Sequence, residues 1–137
     1  MPEGRIPDLK GCRVLLAEDV AVNAESMMMV LGMRETDADL TENGRVAVNL
    51  FENHEAGYYD AILMDLRMPE MDGLEAIKII RSLQRDDART VPIIALTANA
   101  FDEDVQQSMQ VGLNAHLSKP VESDVLFETP ENLIKSL

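Results

Sequence analysis

The stretch Val14-Leu15-Leu16-Ala17-Glu18-Asp19 decides the architecture: four apolar residues in a row, followed at once by two carboxylates. A strand with one solvated face alternates polar and apolar residues, so a short unbroken apolar run reads as a strand buried on both faces. Such strands belong to parallel sheets covered by helices on both sides. The same grammar recurs downstream. Ala61-Ile62-Leu63-Met64 ends in Asp65, Ile93-Ile94-Ala95-Leu96 opens after Pro92 and ends at Thr97, and the shorter Ala115-His116-Leu117 ends at Ser118-Lys119-Pro120. Asp37 to Leu40 alternates, as an edge strand with one solvated face does.

Amphipathic stretches separate these runs. A helix is expected over about Ala21 to Met33, another over Gly44 to Glu52 with Ala47, Leu50 and Phe51 on one face, and a third after Asp72-Gly73 with Leu74, Ile77, Ile80 and Leu83 on its buried stripe. Asp86-Asp87 reads as a solvated loop. Phe101, Val105 and Met109 line a further helix ending near Gly112. Five alternations of strand and helix predict an α/β fold, a doubly wound five-stranded parallel sheet with helices on both faces. Residues 1–10 hold two prolines and scattered charges without a period and read as a tail or linker, leaving 11–137 as one domain.

The 137 residues carry a formal net charge of -13, which opposes binding to nucleic acid or to an anionic membrane surface. Cys12 is the single cysteine, so neither an internal disulfide nor a cysteine zinc site is expected, and a reducing, cytoplasmic setting fits. No stretch approaches the ~20 apolar residues of a membrane span, and the N-terminus lacks the order of a signal peptide. Met27-Met28-Met29 lies within a helical pattern and reads as core filling.

The chemistry lies at the strand ends. In open α/β sheets the functional crevice lies beyond the carboxyl ends of the strands, so Glu18, Asp19, Asp65, Thr97 and Lys119 can meet at one edge. A carboxylate such as Asp65 attacks a phosphoryl group poorly because both are anionic, and a divalent cation must offset the repulsion. Asp19 and Asp65 can hold Mg²⁺ with several of its waters retained, and crowded carboxylates favour its uptake. Thr97 can offer a hydroxyl to one phosphoryl oxygen, and Lys119, held extended by Pro120, an ammonium to another. Each residue alone has a plainer role as a cap, a turn or a loop residue; the set in this order points to an aspartyl-phosphate site.

At this point the chain resembles the response-regulator receiver domains of two-component systems, through Val14-Leu15-Leu16-Ala17-Glu18-Asp19, the run from Ile62 to Gly73 (Ile-Leu-Met-Asp-Leu-Arg-Met-Pro-Glu-Met-Asp-Gly), Leu96-Thr97-Ala98 and Lys119-Pro120. The resemblance implies a flavodoxin-like fold and a phosphorelay receiver, not an enzyme with an external substrate. It implies that Asp65 takes a phosphoryl group from a phosphohistidine and that Glu18 and Asp19 form an acidic pair. The backbone carbonyl of Arg67 would be a further protein ligand to Mg²⁺, Thr97 the switch hydroxyl and Lys119 the clamp. Ala98-Asn99-Ala100-Phe101, the run from Gly112 to Pro120, and Asn23 look like receivers fused to hybrid sensor histidine kinases. The implied partner is a histidine kinase or a histidine phosphotransfer domain, with a weak homodimer compatible, in the cytoplasm or on the cytoplasmic side of a membrane-bound kinase.

Two positions depart from the pattern. His116 stands where many receivers carry Tyr or Phe, and it reads as a strand residue facing the last two helices rather than as a proton sensor; His54 reads as part of a polar loop. Pro130 falls where the last helix should run unbroken, so that helix is expected to start or kink at Thr129. A phosphatase of the haloacid-dehalogenase type shares the chemistry but would need a second Asp where Arg67 stands. A receiver that binds a partner without being phosphorylated is disfavoured because every key position is filled. Nucleotide loops of the GxGxxG or GxxxxGK kind are absent, and the residues after Pro120 are too few for an output domain.

Overall fold

The computed structural model describes residues 12–33, 35–55, 57–65, 73–84, 87–97 and 112–118, apart from the side chains of Leu74, Asp87, Arg89, Thr97 and Ser118. Five strands, β1 (Arg13–Ala17), β2 (Asp37–Thr41), β3 (Ala61–Asp65), β4 (Ile93–Thr97) and β5 (Ala115–Ser118), form one sheet in the order β2-β1-β3-β4-β5. Every neighbouring pair is parallel. The helices are α1 (Ala21–Met33), α2 (Gly44–Asn53), α3 (Gly73–Ser82) and the single turn α4 (Asp87–Thr90).

The apolar runs are buried on both faces, as their lack of alternation requires. Leu15 and Ala17 of β1, Ile62 and Met64 of β3, and Ile93 and Ala95 of β4 pack with Ala47, Val48 and Phe51 of α2 and with Ala76, Ile77 and Ile80 of α3. On the other face Val14, Leu16, Ala61, Leu63, Ile94, Leu96 and Leu117 pack with Met27 and Leu31 of α1. Each Val, Leu, Ile, Met or Phe side chain so withdrawn from water contributes about 1.5–3 kcal/mol. Because β1 and β3 are neighbours while β1 leads through α1 to β2 on one side and β3 leads on to β4 on the other, with α1 and α3 on opposite faces, the chain leaves the two strands in opposite directions. A crevice opens between their carboxyl ends.

Several expectations are corrected. Asp87 begins α4 rather than sitting in a loop, because Ala88 inserts fully into the α2–α3 side of the core. In the methionine run Met27 is core filling and Met28 packs partly against the same cluster, whereas Met29 is 68% exposed. Ala24, Met27 and Leu31 form the buried face of α1, and Val22, Met29 and Met33 form a stripe on the opposite side, open to solvent. α1 is therefore apolar on both sides. His54 does not lie in a polar loop: it ends α2, donates from Nδ1 to the Leu50 carbonyl at 2.7 Å, and stacks on Tyr58 with centroids 3.9 Å apart. The Arg13 guanidinium lies 4.6 Å from the centre of the same Tyr58 ring and 3.7 and 3.8 Å from Asp37 and Asp39. Tyr59 donates to Asp39 at 2.7 Å, and burial together with that carboxylate pushes its phenol well above the ordinary range.

The helix carrying Phe101, Val105 and Met109, and the last helix with Thr129 and Pro130, lie outside the described residues. Residues 1–10 do too. No helix among the described residues is long and apolar enough to cross a membrane.

Candidate functional site

Local sequence explains how the site forms. β1 ends at Ala17 because Glu18 and Asp19 follow, yet the backbone continues along the sheet for one more residue: the Glu18 amide donates to the carbonyl of Thr41, the last residue of β2, at 3.0 Å. That bond holds Glu18 at the sheet edge, where it is 1% exposed. Asp19, one residue on, is exposed. Asp65 is the final residue of β3, at 5% exposure. Strand β3 is the immediate neighbour of β1, in a register that pairs Ala17 with Met64, so Asp65 and Glu18 both fall one residue beyond that pair.

Glu18, Asp19 and Asp65 each bring a carboxylate oxygen to within 4.8 Å of the other two. Thr97 ends β4 and is paired with Ser118 of β5, while Asp65 is paired with Leu96. The Thr97 backbone therefore lies one strand over from Asp65 at the same edge; its side chain is not among the described atoms. Lys119 follows directly on Ser118, but Lys119 and Arg67 lie outside the described residues. His116 lies within β5 and is exposed.

An all-oxygen set of carboxylates suits a hard divalent cation such as Mg²⁺ and does not suit zinc or copper, which favour nitrogen and sulfur. Three anions this close, two of them withdrawn from water, repel one another strongly, so a cation there relieves rather than adds strain.

Two contacts at this edge were not legible in the sequence as functional. One is the Thr41 carbonyl that anchors Glu18, which depends on the β1–β2 register. The other is Asn23, in the first turns of α1, whose Nδ2 donates to Glu18 Oε1 at 3.4 Å. In the sequence it stands only as part of the resemblance to hybrid-kinase receivers, shortly after the acidic pair, with no role attached.

The family model described as response regulator receiver domain matches residues 14–130. The probable histidine kinase 2 of Oryza sativa subsp. indica is 34% identical over 93% of the chain, and hybrid signal transduction histidine kinase I of Dictyostelium discoideum is 32% identical over 85%. The chain spans only 13% and 7% of the lengths of these two kinases. Among solved structures, the receiver domain of a sensor histidine kinase from Pseudomonas aeruginosa PAO1 superposes with a TM-score of 0.82 at 38% identity, covering 91% of this chain and 98% of that one. That structure has a magnesium ion coordinated in its active site cleft.

Proposed function

Since the chain belongs to the response regulator receiver domains, we propose that Asp65 is its phosphoacceptor, loaded from a phosphohistidine, with Glu18, Asp19 and the Arg67 carbonyl arranged to hold Mg²⁺. The observation that carries this reading is the convergence of Glu18, Asp19 and Asp65 at the crevice between β1 and β3. When bound, Mg²⁺ offsets the charge between the attacking carboxylate and the phosphoryl oxygens. The rest falls to the chain. An Asp65 carboxylate oxygen forms a bond to phosphorus as the phosphorus–nitrogen bond to the donor imidazole breaks, and the electron pair leaves with that nitrogen. Thr97 would donate its hydroxyl to one phosphoryl oxygen and Lys119 its ammonium to another, stabilising charge that spreads over these oxygens during transfer. Hydrolysis of the resulting acyl phosphate by water ends the signal.

Receiver domains work with histidine kinases or histidine phosphotransfer domains. For this chain we assign the donor surface to the outward side of α1. Val20 follows directly on Asp19, and Val22, Met29 and Met33 continue an exposed apolar stripe away from the site. A partner seated there would have its histidine beside Asp65. Residues 11–137 would make up the receiver domain, with 1–10 as a tail or linker, in the cytoplasm either alone or within a larger kinase.

Incubation with acetyl phosphate and Mg²⁺, followed by mass spectrometry, tests the acceptor. Wild type should gain one phosphoryl group and Asp65→Asn none; a labelled Asp65→Asn would overturn the assignment. Met29→Lys should slow transfer from a phosphohistidine donor and leave labelling by acetyl phosphate unchanged. Equal slowing of both would place Met29 outside the donor surface.

A further inference from the structure

We infer that Asn23 is a positioning residue for the metal site: its carboxamide orients Glu18 and so sets the affinity for Mg²⁺. This rests on the reading of Glu18, Asp19 and Asp65 as the cation site. Glu18 is almost wholly buried and its main chain is fixed by Thr41, and the orientation of its carboxylate is set by the groups it hydrogen-bonds to, Asn23 among them. Asn23 reaches back across the β1–α1 turn to Oε1 at 3.4 Å. A neutral donor on that oxygen holds the carboxylate in one orientation without competing for the cation, as a cationic side chain would.

The geometry of α1 makes Asn23 a stable anchor. Ala24, the next residue, is buried, and the Ala24 amide donates to the Val20 carbonyl at 2.9 Å, closing the first helical turn. The Asn23 backbone is therefore held by a helix that packs through Met27 and Leu31 onto the sheet. Groups that orient a metal-binding carboxylate are worth 10–100-fold in affinity. The length of this bond points to the lower end.

The test is calorimetric titration of the whole chain with MgCl₂, alongside thermal unfolding in EDTA. Asn23→Ala should weaken Mg²⁺ binding about tenfold, and Asn23→Gln, which keeps the donor on a longer arm, should recover part of that loss. Asp19→Ala serves as the reference for the site itself. If Asp19→Ala loses Mg²⁺ while Asn23→Ala binds as wild type does, the inference about Asn23 fails and the site stands. Weakened binding in Asn23→Ala with no recovery in Asn23→Gln, or with a matching loss of metal-free thermal stability in both, would also overturn it, since the residue would then only support the fold. If Asp19→Ala binds Mg²⁺ unchanged, the reading of the site fails first.

Discussion

Asp65→Asn should make the metal-free protein more stable. Glu18 and Asp65 are both buried at the ends of adjacent strands, with carboxylate oxygens within 4.8 Å. Two unit charges at that separation repel by about 3.5 kcal/mol at an effective dielectric of about 20. Asparagine keeps the shape of aspartate, removes one charge and adds a donor that Glu18 can accept. Favourable contacts of the Asp65 carboxylate are lost as well, so the net gain is smaller, about 1–3 kcal/mol, or roughly 3–15 °C in melting temperature. Urea unfolding at neutral pH in excess EDTA measures it. In saturating Mg²⁺ the advantage should shrink or reverse, because a ligand bound only to the folded wild type stabilises it by mass action. An Asp65→Asn protein no more stable than wild type in EDTA, or one whose advantage is untouched by Mg²⁺, would refute the argument that charge repulsion is stored at this edge.

Other perturbations follow from the packing. Val20 occupies the N-cap position of α1 without an oxygen to offer the first-turn amides, whereas Asn43 caps α2 by accepting from Val46 at 2.9 Å; Val20→Asn should therefore stabilise by about 0.5–2 kcal/mol in urea unfolding. Phe51→Ala, which empties a fully buried site between α2 and the sheet, should cost about 3–5 kcal/mol by the same assay. Gly112 has a φ of +124°, and a Cβ there would come within 2.9 Å of Arg81, whose guanidinium donates to the Gly112 carbonyl, the Ala88 carbonyl and Asn114 Oδ1. Gly112→Ala should lower the melting temperature, and combining it with Arg81→Ala should recover little, since the backbone strain remains.

Strands β1, β3 and β4 were legible because burial on both faces leaves no room for polar residues, and their apolar runs have no other economical reading. Their ends were legible for the same reason, which is why the sequence alone points to Glu18, Asp19 and Asp65 meeting at one edge. β2 was readable only as an edge: it runs one residue further than its alternation suggests, to the buried Thr41. What failed was whatever depends on neighbours distant in sequence. α4 was missed because Asp86-Asp87 reads as a solvated pair at its start while one alanine, Ala88, determines its packing. The exposure of Met29 could not be read from a helix apolar on opposite sides, since nothing in such a pattern says which side faces the sheet. His54 looked like loop material because its neighbours in sequence are polar, whereas its ring stacks on Tyr58 and meets the edge of Tyr59 just ahead of β3.

The rim strand β2, which has no strand on its outer side among the described residues, carries Asp37 and Asp39, with Arg13 of the neighbouring strand beside them. An uncovered border is a template on which a second chain could add a strand, and the same two carboxylates on an incoming copy would face these in repulsion. Arg13 sets one positive charge against two carboxylates, so a net negative charge stays on this edge and faces the same charge on a second copy. Crowded at high local concentration, as neighbouring domains of signalling assemblies are, such molecules can touch through their helices without their sheets fusing end to end into fibrils.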